Sequence, residues 1–232
     1  MAKLQDTRPR RPRNAAESER GGSERRAALV KIAAELFARN GFASTTVRQI
    51  ADAAGVLSGS LYHHFDSKES IIDDLLSSCL DELLTQYRSI IADDGPPTEV
   101  FSRLVRAAFE SFAKHRAAIM VMLNERNYLA QFPRFSYLPA AEAEAEQMWT
   151  KVIREGIRTG DFREDLDPHL TYLFARDVIS VSARWYRPRG KFKPAQMADQ
   201  YLGIILRGIE RRPDHDGWGR STGTRPSERL AK

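Results

Sequence analysis

From Ser44 to Lys68 the chain offers few folding options. Thr46 and Gln49 stand at the N-cap and third positions of a helix, the reciprocal pair of a capping box. Val47, Ile50, Ala51 and Ala54 share one face of that helix, Gly55 ends it and Val56 plugs the turn. A second short helix then carries Leu61 and Phe65 inward. Two short helices joined by a glycine turn are the unit that lays its second helix in the DNA major groove.

The flanking sequence completes a three-helix cluster. Leu29, Ile32, Ala33, Leu36 and Phe37 recur at helical spacing, and Asn40-Gly41 stops that helix. Three helices of this size are too small to be stable alone, so their apolar faces must share one cluster and lean on something larger. Ser67 caps a fourth helix whose stripe runs from Ile71 to Ile91, a rod of roughly 36 Å at 1.5 Å per residue. Asp93-Asp94-Gly95-Pro96-Pro97 stops it, and amphipathic segments follow to Ile209, with breaks at Phe132-Pro133, Gly160 and Arg187-Pro188-Arg189-Gly190. No alternating strand pattern and no internal repeat interrupts them.

The expected fold is all-α, about nine helices. A disordered basic arm spans 1–23, a helix-turn-helix DNA-binding domain 24–70, a helical-bundle ligand-binding and dimerisation domain 71–211, and a disordered tail 212–232. Residues 1–26 carry eight Lys/Arg against four Asp/Glu. The arm is read either as a solvated tail or as a phosphate contact beside the reader.

Composition narrows the function. The single Cys79 allows no internal disulfide and suits a reducing compartment. No apolar run reaches the roughly 18 residues of a membrane helix, and no signal core follows the N-terminal charges, so a cytoplasmic protein is expected. His63 and His64 are adjacent and diverge on a helix, while His115, His169 and His215 lack partners at ligand spacing. There is neither a phosphate-binding glycine loop nor a Gly-x-Ser-x-Gly elbow. The expectation is a binding protein rather than an enzyme, with no catalytic residue, metal or cofactor.

The DNA-facing candidates follow from the helix pattern. Ser58 and Ser60 offer short hydroxyls, and Gly59 permits close approach to a base edge. Tyr62 and His63 point outward opposite Leu61 and Phe65, and Thr46, Arg48 and Lys68 flank the same surface. Ser58 is expected to cap the recognition helix.

Three stretches, Thr45-Thr46-Val47-Arg48-Gln49-Ile50-Ala51, Ala54-Gly55-Val56 and Leu61-Tyr62-His63-His64-Phe65, together with Ser67-Lys68-Glu69, resemble the TetR family of bacterial transcriptional regulators. The close match spans about residues 26–76. It implies an all-α homodimer that binds an inverted-repeat operator, with a C-terminal domain whose small-molecule inducer releases the DNA. Leu57-Ser58-Gly59-Ser60, Pro133-Arg134-Phe135-Ser136-Tyr137 and Arg184-Trp185-Tyr186-Arg187-Pro188 are also similar to the actinobacterial TetR repressors of steroid-ring catabolism. That narrower resemblance implies a CoA thioester of a partly degraded sterol nucleus as inducer. The alternatives are a TetR-type regulator of another pathway or efflux system with a different hydrophobic ligand, and a helical protein-binding adaptor.

The eighth helix carries two apolar stripes where a surface helix needs one. Leu170, Leu173, Phe174, Val178, Val181 and Trp185 form the first; Tyr172, Ala175, Ile179, Ala183 and Tyr186 form the second. Either one monomer core swallows both, or a second subunit covers one. For a dimer the expected contacts are Trp185, Tyr186, Tyr201, Ile205 and Gly208. Arg176, set among apolar neighbours, needs a partner: Asp177 or a glutamate of the 142–146 run, or the anionic group of a ligand. Tyr172, Trp149, Phe109 and Met122 are the accompanying candidates for a ligand pocket, or else plain core.

Overall fold

The computed structural model describes residues 14–210, with side chains from residue 22. Nine α-helices follow one another within that range: α1 (Asn14–Asn40), α2 (Val47–Ala53), α3 (Ser58–Tyr62), α4 (Lys68–Ala92), α5 (Pro97–Lys114), α6 (Arg116–Leu129), α7 (Leu138–Thr159), α8 (Pro168–Trp185) and α9 (Pro194–Ile209). A 3₁₀ turn at Pro133–Phe135 separates α6 from α7. Among the described residues no strand forms; Phe162 and Glu210 make a lone antiparallel bridge.

One boundary expected from sequence moves. Helix α1 begins at Asn14, well before the expected domain start at residue 24, so the inner part of the basic arm is helical. Ala15, Ala16, Glu17 and Glu19 are good helix formers, and the helix continues through Gly21 and Gly22 despite their low propensity. The outer arm, residues 1–13, and the tail from 211 lie outside the described residues.

Two apolar clusters divide the molecule, and α4 enters both. Its first half, through Ile71, Ile72, Leu76 and Cys79, is buried with Leu29, Ala33 and Phe37 of α1, with Ile50 and Ala51 of α2, and with Leu61 and Phe65. Its second half, through Tyr87, joins Phe101, Leu104 and Phe112 of α5, Trp149 and Ile153 of α7, and the inner faces of α8 and α9. Helix α6 also serves the first cluster: Ala118, Val121 and Leu129 pack beneath the three small helices, while Met122 reaches both. The small unit is therefore supported from below by α4 and α6, as its size demands. Burial pushes the Cys79 thiol up to about 12, which makes it a packing residue.

At the far end of the body, Gly156 of α7 receives the buried ring of Phe162. A Cβ at Gly156 would stand 2.2 Å from a Phe162 ring carbon. Gly to Ala inside a helix ordinarily gains about 1 kcal/mol. Here overpacking, typically about 1–3 kcal/mol, opposes that gain because Phe162 is wedged against Phe101. Gly156→Ala should lower the urea unfolding midpoint; a raised midpoint would show that the ring has room to move.

Candidate nucleic-acid interface and ligand cavity

The helix-turn-helix is locked by its own backbone. The Thr46 hydroxyl accepts from the Gln49 amide at 3.2 Å while Gln49 Oε1 accepts from the Thr46 amide at 2.8 Å, the expected capping box. Gly55 takes a left-handed conformation (φ 65°) and lets α3 turn back across α2. The cap of α3 differs from expectation. Leu57 is the N-cap, it supplies no side-chain hydrogen bond, and Ser58 is the first helical residue. The Leu57 carbonyl accepts from the Ser60 amide at 2.9 Å, so the backbone closes the turn without a side-chain cap.

This leaves Leu57 83% exposed and Tyr62 56% exposed, although Leu61 and Phe65 beside them are buried. His63 and Gly59 are exposed, and Ser58 and Ser60 half-buried. A Cβ at Gly59 would meet no protein atom within 4 Å, so nothing inside the protein requires glycine there. Arg48 is exposed and holds Asp52 only loosely, at 3.9 Å. Thr46, Arg48, Gly59, Tyr62 and His63 are therefore all open to solvent, and so is the apolar Leu57, which was not among the expected DNA-facing residues.

Lys68 does not belong to that exposed set. Its ammonium donates to the carbonyls of Phe42 at 2.8 Å and Thr45 at 3.0 Å, and lies 4.1 Å from the centre of the Phe42 ring. Burial lowers its pKa from the ordinary lysine value. The residue pins the start of α4 to the α1–α2 turn, and its donors are used within the protein. Three further links converge nearby. Arg26 of α1 reaches Asp74 at 2.8 Å and the His64 carbonyl, over the Phe65 ring. Arg134, after α6, donates to Asp66 at 2.8 Å and holds that carboxyl down to about 2. Tyr128 of α6 donates to Glu69 at 3.0 Å.

Within the body, α4, α5, α6, α7 and α8 line a partly open cavity of about 200 Å³. Its wall is apolar, through Leu83, Leu84, Phe112, Ile119, Met122 and Trp149, and its polar groups include Tyr172, Arg176, Asp177 and the Arg126–Glu142 ion pair. Of the expected pocket residues, Trp149, Met122, Tyr172 and Arg176 line it together. Phe109 does not: its ring packs 5.4 Å from Phe112 and 5.7 Å from Tyr201, on the side of α5 that faces α9. Arg176 Nε donates to Asp177 at 2.8 Å, the neighbour allowed for, and the guanidinium lies 5.6 Å from the Tyr172 ring centre. Arg126 and Glu142 were missed because their spacing in sequence conceals that α6 and α7 face each other.

The two stripes of α8 separate except at Leu173, a member of the first stripe that is half-buried against the core. Tyr172, Ala175, Ile179, Ala183 and Tyr186 are buried, whereas Phe174 (67%), Trp185 (57%), Leu170, Val178 and Val181 lie open, as does Ile204 of α9 at 65%. Tyr186 is thus a core residue, edge-on to Phe112 at 5.2 Å, and is not available to a partner. Tyr201 and Ile205 are half-buried, and Gly208 is exposed with no protein atom within 4 Å of a built Cβ.

A helix-turn-helix with an open recognition face, carried on a separate all-helical body that holds a cavity, defines a DNA-binding regulator. Residues 29–75 match the bacterial regulatory proteins of the tetR family, and residues 94–209 match the tetracyclin repressor-like C-terminal domain. The chain belongs to the TetR family and is a transcriptional repressor of that type. It is 46% identical to the HTH-type transcriptional repressor KstR2 of Mycobacterium tuberculosis over 187 residues, covering 81% of this chain and 94% of that protein. It is 43% identical to KstR2 of Rhodococcus jostii over 189 residues, covering 82% and 93%. The solved structure of the ketosteroid transcriptional regulator KstR2 of Mycobacterium tuberculosis superposes with a TM-score of 0.78, covering 81% of this chain and 96% of that one. No helix among the described residues is long and apolar enough to cross a membrane.

Removing the Lys68 ammonium would strand the Phe42 and Thr45 carbonyls. Lys68→Ala should cost about 1–3 kcal/mol of stability, whereas Arg48→Ala, on an exposed side chain, should change it by less than about 0.5 kcal/mol. Urea titrations of the two variants compare them directly, and equal midpoints would remove Lys68 from the structural set.

Proposed function

We propose that the chain acts as a homodimer in the cytoplasm, occupies an inverted-repeat operator, and is released by an anionic, ring-containing inducer. The observation that carries the reading is the position of α6. One face of this helix lines the cavity through Ile119, Met122, Leu123 and Arg126; the other packs under the DNA reader through Ala118, Val121 and Leu129. A cavity of about 200 Å³ falls below the roughly 300–1,000 Å³ of ordinary ligand sites. An inducer therefore fits best in a form whose cavity is wider, and widening displaces α6 along with the small helices resting on it. Differential affinity for the wider form is all that release requires.

Thr46, Arg48, Ser58, Gly59, Ser60, Tyr62 and His63 are the proposed DNA contacts, with Leu57 added for apolar contact with a thymine methyl. Trp149, Met122, Tyr172 and Arg176 are the proposed ligand contacts. The dimer face is proposed as the open stripe of α8 with Ile204, Ile205 and Gly208 of α9. Two helices from each subunit would then bury side chains that a monomer leaves in water. For the inducer, the similarity to KstR2, a ketosteroid regulator by its description, favours a steroid-ring degradation intermediate carried as a CoA thioester. Arg176 and Arg126 at the cavity supply the positive charge that such an anion needs.

A gel-shift titration with the protein's own upstream DNA tests the first half, and addition of a steroid-derived CoA thioester the second. A palindrome-specific complex should form and then dissolve; persistence at saturating thioester would defeat the inducer assignment. Tyr62→Ala should weaken that complex roughly tenfold or more, at about 1–3 kcal/mol per lost contact, with an unchanged melting temperature. Arg176→Met should bind DNA normally but need more thioester for release, and an unchanged release curve would make Arg176 purely structural.

A further inference from the structure

The loop between α8 and α9 is the most one-sidedly charged stretch of the described body. From Val178 to Ala198 there is no Asp or Glu, yet Arg184, Arg187, Arg189, Lys191 and Lys193 fall within ten positions. All five are exposed, and among the described residues none forms an ion pair. Elsewhere on the body the arginines are largely neutralised, as at Arg88–Glu144, Arg106–Asp199 and Arg126–Glu142. The loop is also a built turn: the Gly190 amide donates to the Arg187 carbonyl at 2.8 Å, and a Cβ at Gly190 would stand 2.9 Å from that oxygen. Such concentrated, uncompensated charge repels itself unless an anion faces it.

The fold sets the direction in which the loop faces. Helix α7 starts beside the reader cluster and ends at Thr159, and the residues just beyond it pair with the end of α9, Arg163 N with Ile209 O at 2.8 Å. Helix α8 therefore returns toward the reader and α9 leaves it, which puts residues 187–193 at the reader end of the body. Two contacts fix this. Arg116 Nε donates to the Ala183 carbonyl at 2.8 Å, and Arg184 reaches Asn124 of α6 at 3.3 Å. Four residues on, about 6 Å of helix rise, Tyr128 of the same α6 holds Glu69 in the first turn of α4.

From this placement we propose that the α8–α9 loop is a second, sequence-independent DNA contact. Arg187, Arg189 and Lys191 face the phosphates between the two half-sites. The inference rests on the operator-binding dimer proposed above. In that dimer the loop continues directly from the open α8 stripe at Trp185, so the two loops flank the dyad and double the charge there. They add affinity without reading bases, since phosphate contacts position and only base edges specify.

The test uses the full chain with Arg187→Ser, Arg189→Ser and Lys191→Ser combined. A control combines Lys151→Ser, Arg154→Ser and Arg207→Ser toward the opposite ends of α7 and α9. Operator affinity is measured by fluorescence anisotropy between about 50 and 200 mM salt, where each lost phosphate contact flattens the log–log slope by about 0.9. The loop variant should flatten it by about 2 or more, one contact per protomer, and should keep the wild-type ratio of operator to scrambled-site affinity. Neutral methylphosphonates at the operator centre should weaken the wild type but not the loop variant. A slope equal to wild type, or equal flattening by the control, overturns the proposal while leaving the regulator intact. A loop variant altered only in thioester release would overturn it in favour of an effector role. Absence of any operator complex with the wild type would instead bring down the DNA-binding dimer, and this contact with it.

Discussion

The first turn of α4 is the joint on which the rest of the molecule depends. Ser67 and Ser70 cap it reciprocally at 3.2 Å, and four other segments hold it or the residues beside it. Lys68 binds the α1–α2 turn, Asp74 receives Arg26 of α1, Glu69 receives Tyr128 of α6, and Asp66 receives Arg134 of the 3₁₀ turn. The recognition helix is only five residues long and has no side-chain cap. Its orientation comes from Leu61 and Phe65 being buried against this joint rather than from any rigidity of its own. Two of the four attachments come from α6 or the turn that follows it, so the reader cannot keep its attitude if that part of the body moves.

These attachments differ in kind. Exposed ion pairs such as Arg134–Asp66 contribute little net stability, because water screens them and two long side chains must be ordered. They set geometry more than they supply energy. The Asp66 carboxyl, held at about 2 by the Arg134 guanidinium, titrates below its unfolded value. What the pair contributes is complete above the ordinary aspartate range near 4 and disappears as pH falls through about 2, so it is constant across physiological pH. The burial of Leu61, Phe65, Ala118, Val121 and Leu129 in one cluster is the cohesive term, and it is non-directional. Cohesion that permits sliding, guided by polar links at the rim, would suit the two attitudes that the proposed release of DNA requires.

How much of this could be read from sequence depended on the range of the interaction. The capping box at Thr46 and Gln49, the Gly55 turn, the helix end at Gly160 and the helix order are local, and each was legible from spacing alone. Lys68 was misread because its carbonyl partners lie more than twenty positions upstream, and an outward-looking lysine beside a reader resembles a phosphate contact. Phe109 on α5, for which plain core stood as the alternative to a pocket wall, and Tyr186 at the end of the two-striped α8 were ambiguous for a related reason. An apolar residue is equally at home in a cavity wall, a core or an interface, and packing against Phe112, with Tyr201 also against Phe109, puts both in the core. The second stripe of α8 was visible, but which stripe turned inward was not. The cap of α3 failed on a subtler point: Ser58 is a better capping residue than Leu57, yet the backbone is still extended at Leu57 and already helical at Ser58, so leucine holds the cap position.

The same joint limits how the switch can be set. A ligand shifts an equilibrium only by its differential affinity, and moving a two-state protein from one per cent to ninety-nine per cent takes about 5.5 kcal/mol. Burying a compact ring system in the wider cavity supplies energy of that order, at about 25 cal/mol per Å² of apolar surface. The polar rim supplies selection rather than bulk energy. Arg176 is already satisfied by Asp177, and Arg126 by Glu142, so an incoming anion gains only by being a better partner than a carboxylate already in place. An uncharged ring compound of the same shape would fill the apolar wall and leave both pairs intact. A charged one competes for two arginines on two different helices, α6 and α8, and one of those helices carries the reader. In the proposed switch the charge would do more than anchor the ligand: it would couple occupancy to α6, which with α4 both lines the cavity and supports the DNA-binding domain.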